Sequence, residues 1–263
     1  MPQNSPELII FSISTFVNHL TFCTSSFCKT IFFIYILTKK LSFCFNFDKI
    51  YIELGGIMLN FDVKVLYHSS IRIGEDVFVD PFKIKENAKA KCIFITHSHY
   101  DHYSVEDINK LVCKDTIFIA PKDVSLSLKK VYTNTVYEML PFQELEFNDI
   151  KVKSFPSYNV NKNFHKKEYS WLGYLIEYKG INYCVLGDCD ANDDNKKLKC
   201  DCLLVPIGGT FTMNGKEGAE LTNIIKPKLV VPTHYNAIVG DKSNEREFIA
   251  NLDKSINYRI DID

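Results

Sequence analysis

The sequence predicts an α/β fold in which two sheets meet face to face with helices on their outer sides. Three observations carry that expectation. Apolar runs such as "AKCIFIT", "CDCLLVPIG" and "PKLVVPT" are near-continuous rather than alternating, as in strands covered on both faces. Amphipathic segments such as "SVEDINKLVC" and "GKEGAELTNIIK" fall between them and read as helices. Histidine or aspartate stands at the end of several strands, at His97, Asp188 and His234.

The elements follow in order. "NFDVKVLYHSSIRIGEDVFVDPF" reads as short strands joined by a glycine-containing turn at "IGED". "AKCIFITHSH" is a buried strand running into a histidine cluster, and Ser104 caps the helix that follows, so the cluster lies in a strand-to-helix loop. "DTIFIAP" is a strand, "PKDVSLSLKK" a helix, and "TVYEML", "ELEFN" and "IKVKSFPSYN" are strands separated by Pro and Asn signals. "WLGYLIEYKGINYCVLGD" is a hairpin turning at Lys179 and Gly180, with its second strand ending at Asp188. Beyond the strand "CDCLLVPIG" and the helix "GKEGAELTNIIK", "PKLVVPTHYN" ends at His234, and "NEREFIANLD" closes the chain as a helix.

Residues 1–57 differ in kind. They are apolar and aromatic, yet Asn18, His19 and Lys29 interrupt them, and a spanning helix needs about 20 mostly apolar residues. One reading makes residues 8–37 a membrane anchor. The other, preferred here, makes the segment translated upstream sequence with Met58 as the start, since Gly55 and Gly56 are encodable as a bacterial ribosome-binding sequence. A signal peptide is disfavoured, because early basic residues and a cleavage site are lacking. On either reading, residues 58–263 form the working domain, with six of the nine cysteines and six of the seven histidines.

Composition narrows the function. With a net charge of −1 and interspersed acids and bases, the chain has no basic stripe for a phosphate backbone, so nucleic acid is not an expected partner. The cysteines are odd in number and lack CxxC pairing, which points to reduced thiols and a cytoplasmic location.

"THSHYDH" packs His97, His99, Asp101 and His102 into one loop. Residues two apart on an extended strand end point the same way, so His97 and His99 close on one ion while Asp101 and His102 face a neighbouring one. Imidazole with carboxylate suits zinc, and also iron or manganese. Four donors do not complete two sites. Asp188 can bridge through its two oxygens, and His234 can complete the second position.

"THSHYDH", "GDCD" and "PTHYN", in that order at strand ends, resemble the metallo-β-lactamase superfamily, and in particular its small, single-domain zinc-dependent hydrolases. The "HSS", "DPF" and "PIGGTFTM" stretches add to the likeness, which runs from about Leu59 to the C-terminus. The resemblance implies a four-layer αββα sandwich with two zinc ions at one edge. It gives His97 and His99 to the first ion, Asp101, His102 and His234 to the second, and Asp188 to both. A metal-bound hydroxide is then the nucleophile, and Asp101, the candidate catalytic residue, orients the water or passes a proton.

One motif departs from the superfamily. Its usual third histidine falls where this chain reads "KSFPSYN", and the nearest candidate is His165, as a ligand or as a group contacting ligands or substrate, with Asn159 through its carbonyl oxygen as a further option. His68 is either near the metal edge or a satisfied structural histidine, and Asp80 is expected to bond a ligating imidazole. Thr210 and Thr212 are candidates for the substrate cleft, while Trp171 and Tyr174 are expected in the core. The expected function is a metal-dependent hydrolase of a small ester, lactone or phosphate ester. The alternatives are a phosphodiesterase or nuclease of the same fold, or a non-catalytic metal-binding or sensory module.

Overall fold

The computed structural model describes residues 10–11, 32–36, 41–46, 49–54, 57–85 and 87–262. The chain divides into two units, Met1–Asp62 and Val63–Asp263. The first carries a sheet in the order β1 (Ile10–Phe11), β2 (Phe32–Ile36), β3 (Leu41–Asn46), β4 (Lys49–Leu54) and β5 (Ile57–Phe61). Met58 lies within β5, opposite Glu53. Within residues 8–37 only β1 and β2 are described, both as strands, so the rest of the stretch behind the anchor reading lies outside the described residues. No helix among the described residues is long and apolar enough to cross a membrane.

The second unit begins with a six-stranded sheet. β6 (Val63–Tyr67), β7 (Ser70–Ile73) and β8 (Val77–Val79) pair antiparallel, and β9 (Cys92–Phe94), β10 (Ile117–Ala120) and β11 (Val136–Glu138) continue the sheet in parallel. Parallel neighbours need crossovers: β8 reaches β9 through an irregular segment, while α1 (Val105–Leu111) joins β9 to β10 and α2 (Lys122–Val131) joins β10 to β11. Ile108, Leu111, Val124 and Leu128 of those helices pack with Phe78, Ile93, Ile95 and Phe118 in one buried cluster. Each such side chain removed from water contributes about 1.5–3 kcal/mol.

The second sheet runs in chain order through β12 (Glu144–Phe147), β13 (Ile150–Pro156), β14 (Leu172–Tyr178), β15 (Ile181–Val185), β16 (Cys202–Pro206), β17 (Leu229–Thr233) and β18 (Asn257–Tyr258). It is antiparallel as far as β15 and parallel beyond. The β14–β15 hairpin turns at Lys179 (φ 52°) and Gly180 (φ 76°), the positive-φ pair of a two-residue loop. Helices α3 (Gly215–Ile225) and α4 (Lys242–Asn251) make the β16–β17 and β17–β18 crossovers, while β15 reaches β16 through a loop with a short 3-10 turn at Asn195–Lys197.

Tyr174 of β14 fastens the two sheets. Its ring centroid lies 5.2 Å from that of Phe94 on β9, and its hydroxyl donates to the Ile95 carbonyl at 2.7 Å. Each sheet carries its own helices, which gives the expected αββα sandwich. Two strands end earlier than their sequence pattern suggests. β13 stops at Pro156, leaving Tyr158 and Asn159 in a loop, and β15 stops at Val185, so Asp188 lies three residues past the strand. Pro156 has no amide hydrogen to extend the ladder, and Gly187 takes a left-handed φ of 65° that turns the chain out of the sheet.

Candidate metal centre

The ends of β9, β15 and β17 bring the candidate ligands to one edge of the sandwich. The Leu172 amide at the start of β14 donates to the Thr96 carbonyl at 3.1 Å, which sets the edge of one sheet against the other. Past Thr96 the loop folds back on itself, with the amides of His102 and Tyr103 both donating to the His99 carbonyl. Four residues around the edge take left-handed backbone: His68 (φ 54°), Asp80 (φ 48°), His165 (φ 51°) and His234 (φ 58°). That conformation is unfavourable for side chains with a Cβ and persists where the surroundings enforce it, commonly at functional sites.

Three imidazoles form a first group. His97 Nε2 lies 3.1 Å from His99 Nδ1, and His165 Nε2 lies 3.2 Å from the same atom. The loop after β13 therefore places His165 beside the pair from the first motif. A second group joins His68, Asp101, His102 and His234, whose donor atoms lie within 4.8 Å of one another. Asp188 stands between the groups. Its Oδ2 is 2.9 Å from His234 Nε2, 3.3 Å from His165 Nε2 and 4.0 Å from His97 Nε2, while Oδ1 is 3.4 Å from His102 Nε2.

Buried polar partners fix the rings. Asp80 accepts from Thr96 N (2.7 Å), from the Thr96 hydroxyl (2.6 Å) and from His102 Nδ1 (2.8 Å). Having donated its proton to Asp80, the Thr96 oxygen accepts from His97 Nδ1 at 2.9 Å. His165 Nδ1 donates to the Phe211 carbonyl at 3.2 Å. In each ring the Nδ1 proton is thereby committed, and the Nε2 lone pair is turned towards the donor groups.

The remaining candidates divide. Asn159 ties the His165 loop down, its amide donating to the His165 carbonyl at 2.8 Å and its Nδ2 to the Phe211 carbonyl at 2.8 Å, while its Oδ1, the expected donor atom, is buried without a hydrogen-bond partner. Thr210 is exposed, but Thr212 is fully buried with its hydroxyl donating to the Met213 carbonyl, so it does not line an open cleft. Tyr174 is core, as expected. Trp171 is buried and also walls the first group, its ring 4.8 Å from those of both His97 and His99 and its indole donating to Asp123. Neither this wall nor the Phe211 carbonyl carries a sequence signal, because each acts through contacts remote along the chain.

The electrostatics follow from burial against charge. Burial, then the neighbouring His102, holds His97 well below the ordinary histidine range, and burial brings His165 and His68 down to about 4. For His102 the lowering effect of burial is overcome by Asp188 and Asp80, which raise it well above that range. Asp188 is pulled well below the usual carboxylate range, its burial offset by His234 and His102. Asp101, despite burial, is lowered to about 2 by the His68 and His102 contacts. Cys189 beside Asp188 is pushed up to about 12, by burial first and by Asp188 second, and remains a neutral thiol.

The residues fit divalent metal ions. His102 Nε2, Asp188 Oδ1, His234 Nδ1 and both ring nitrogens of His68 are buried without a hydrogen-bond partner. His97 Nε2 and His165 Nε2 both approach His99 Nδ1, which has at most one proton to share, and the His165 lone pair also faces Asp188 Oδ2 at 3.3 Å. Those contacts are repulsive until a positive charge lies between them, whereas His102, raised above the ordinary histidine range, meets Asp188 as an ion pair. Nitrogen and carboxylate oxygen donors without a thiolate are the set that zinc, iron and manganese accept.

Residues 62–234 match the profile of the β-lactamase superfamily domain, which spans more than half of the chain. The chain belongs to the β-lactamase superfamily. Among relatives, a UPF0173 protein of Pyrococcus furiosus is 33% identical over 189 residues, covering 69% of this chain and 84% of its own. A UPF0173 metal-dependent hydrolase of Thermococcus onnurineus is 28% identical, covering 71% of this chain and 89% of its own. A crystal structure of a candidate metal-dependent hydrolase from Parabacteroides distasonis superimposes with a TM-score of 0.62 at 23% identity, covering 85% of this chain and 94% of the other. That β-lactamase superfamily architecture is the αββα sandwich described above.

Proposed function

We propose that this superfamily member is a metal-dependent hydrolase that cleaves a small ester, lactone or phosphate ester, with two zinc ions as its metal. The observation that carries the reading is the position of Asp188 between two donor groups: Oδ2 lies 3.3 Å from His165 Nε2 of the first and 2.9 Å from His234 Nε2 of the second, and Oδ1 lies 3.4 Å from His102 Nε2 of the second. The name of the Thermococcus onnurineus relative supports the same reaction class. When bound, two such ions supply Lewis acidity, bringing a water's ionisation towards neutral pH and polarising a carbonyl or phosphoryl oxygen.

The chain's own residues do the rest. Asp80 and Thr96 hold His97 and His102 in the tautomer that offers Nε2 to the centre. Trp171 walls one side of the first group, its ring against buried His97 and against His99, whose other side is open to solvent. Asp101, lowered to about 2, stays ionised across the working pH range and accepts a hydrogen bond from the attacking water. Orientation rather than proton carriage is its role, because a group so acidic is a weak base. The six cysteines of the second unit are free thiols, which supports a reducing, cytoplasmic location.

A panel of nitrophenyl esters, lactones and phosphodiesters tests the reading. Turnover of at least one class is expected, abolished by a chelator and reduced about 10²–10⁴-fold in Asp101→Asn. Two ions bound with no turnover of any class would instead favour a metal-binding module.

A further inference from the structure

We propose that His68 is a metal donor of the second group, sharing its ion with Asp101, His102, His234 and Asp188. The inference rests on the metal-centre reading above and assigns to it a residue outside the three motifs. His68 is fully buried, and neither ring nitrogen has a hydrogen-bond partner. A histidine satisfied as a structural residue would commit at least one nitrogen, as His97, His102 and His165 do through Nδ1.

Its position is built rather than incidental. The residue follows β6 and takes φ 54°, which turns it out of the strand direction. Its carbonyl accepts from the His234 amide at 3.0 Å, pinning the two backbones together. The rings then lie 4.0 Å apart between centroids, and His68 Nε2 comes to 3.2 Å from Asp101 Oδ2. A strained backbone and a buried ring whose Nδ1 meets no polar partner and whose Nε2 meets only a carboxylate oxygen, without a hydrogen bond, are together unfavourable unless something occupies the space that they face. Its nitrogen lies within 4.8 Å of the donor atoms of Asp101, His102 and His234.

A simpler account would have His68 only hold Asp101 in place through a hydrogen bond. The two accounts separate by substitution, since glutamine keeps a side-chain donor of similar reach but is a poor ligand for these metals.

The test is calorimetric titration of chelator-treated protein with zinc alone, for wild type, His68→Gln and His68→Ala, with cobalt(II) absorption spectra of each. Wild type should bind two ions. Both variants should bind the first ion with unchanged affinity, which reports an intact fold, and the second at least about 10-fold more weakly. Their cobalt spectra should lose intensity only in the band filled second. Wild-type affinity for both ions in His68→Gln would overturn the donor role while leaving the metal centre standing. A wild type that binds fewer than two ions would overturn the metal-centre reading and this inference with it.

Discussion

Asp80 Oδ2 lies 2.8 Å from His102 Nδ1, and the same carboxylate holds the Thr96 hydroxyl that accepts from His97. One buried acid therefore orients a donor of each group. Replacing Asp80 with alanine frees both rings and leaves the Thr96 amide unpaired. The expected outcome is a 10–100-fold loss of metal affinity, roughly the effect of removing such a partner elsewhere, measured by competition with a chromogenic chelator. Unchanged affinity for both ions would remove Asp80 from the account.

Gly208 passes close to the His234 backbone. A Cβ built on it would stand 2.1 Å from the His234 carbonyl oxygen and 2.8 Å from Val239 Cγ2. Backbone cannot yield as a flexible side chain does, so Gly208→Ala should displace His234. Binding of the second ion should weaken, and the melting temperature should fall by several degrees, corresponding to about 1–3 kcal/mol.

The metal-free chain should lose stability in mild acid. His68 and His165 are lowered to about 4 by burial, while in the unfolded chain they titrate near 6.5. Between those values the unfolded chain binds more protons, so stability is intact above pH 6.5 and declines as the pH falls towards 4. At pH 5 each histidine accounts for on the order of 2 kcal/mol. His102, whose range is raised, acts in the opposite direction and softens the decline. Denaturant unfolding of chelator-treated protein at pH 7 and pH 5 should show the difference, and His68→Gln or His165→Gln should reduce it.

Asp107 ties α1 to the loop that follows Asp80. Its carboxylate accepts from Lys83 N and Ile84 N, each at 2.9 Å, and from Lys110 Nζ at 2.8 Å. Asp107→Ala leaves two amides without partners, and an equilibrium unfolding curve should register a loss of about 2–3 kcal/mol. A change below about 0.5 kcal/mol would mean that water replaces the carboxylate at little cost.

Much of this arrangement was legible in the sequence, for identifiable reasons. The near-continuous apolar runs of β9, β16 and β17 announced parallel strands covered on both faces, and the Lys179-Gly180 turn announced the hairpin. His97, His99, Asp101 and His102 stood out because four donors in one short loop have few structural uses. His165 was legible only as an unassigned histidine, since it comes from an irregular loop whose path is set by the Phe211 carbonyl, far away along the chain. His68 was ambiguous for a similar reason: its ring becomes informative only when the His234 backbone is seen to hold it. Trp171 reads as core from sequence and is core, and its contact with the imidazoles depends on where β14 begins beside Thr96.

The most direct test of the central claim is metal content by elemental analysis of protein purified without added metal, compared with His165→Ala. The account predicts two ions per chain in the wild type, falling towards one in the variant, because His165 Nε2 joins His97 and His99 around the first position. One ion or none in the wild type, with no change in the variant, would contradict a two-metal centre bridged by Asp188.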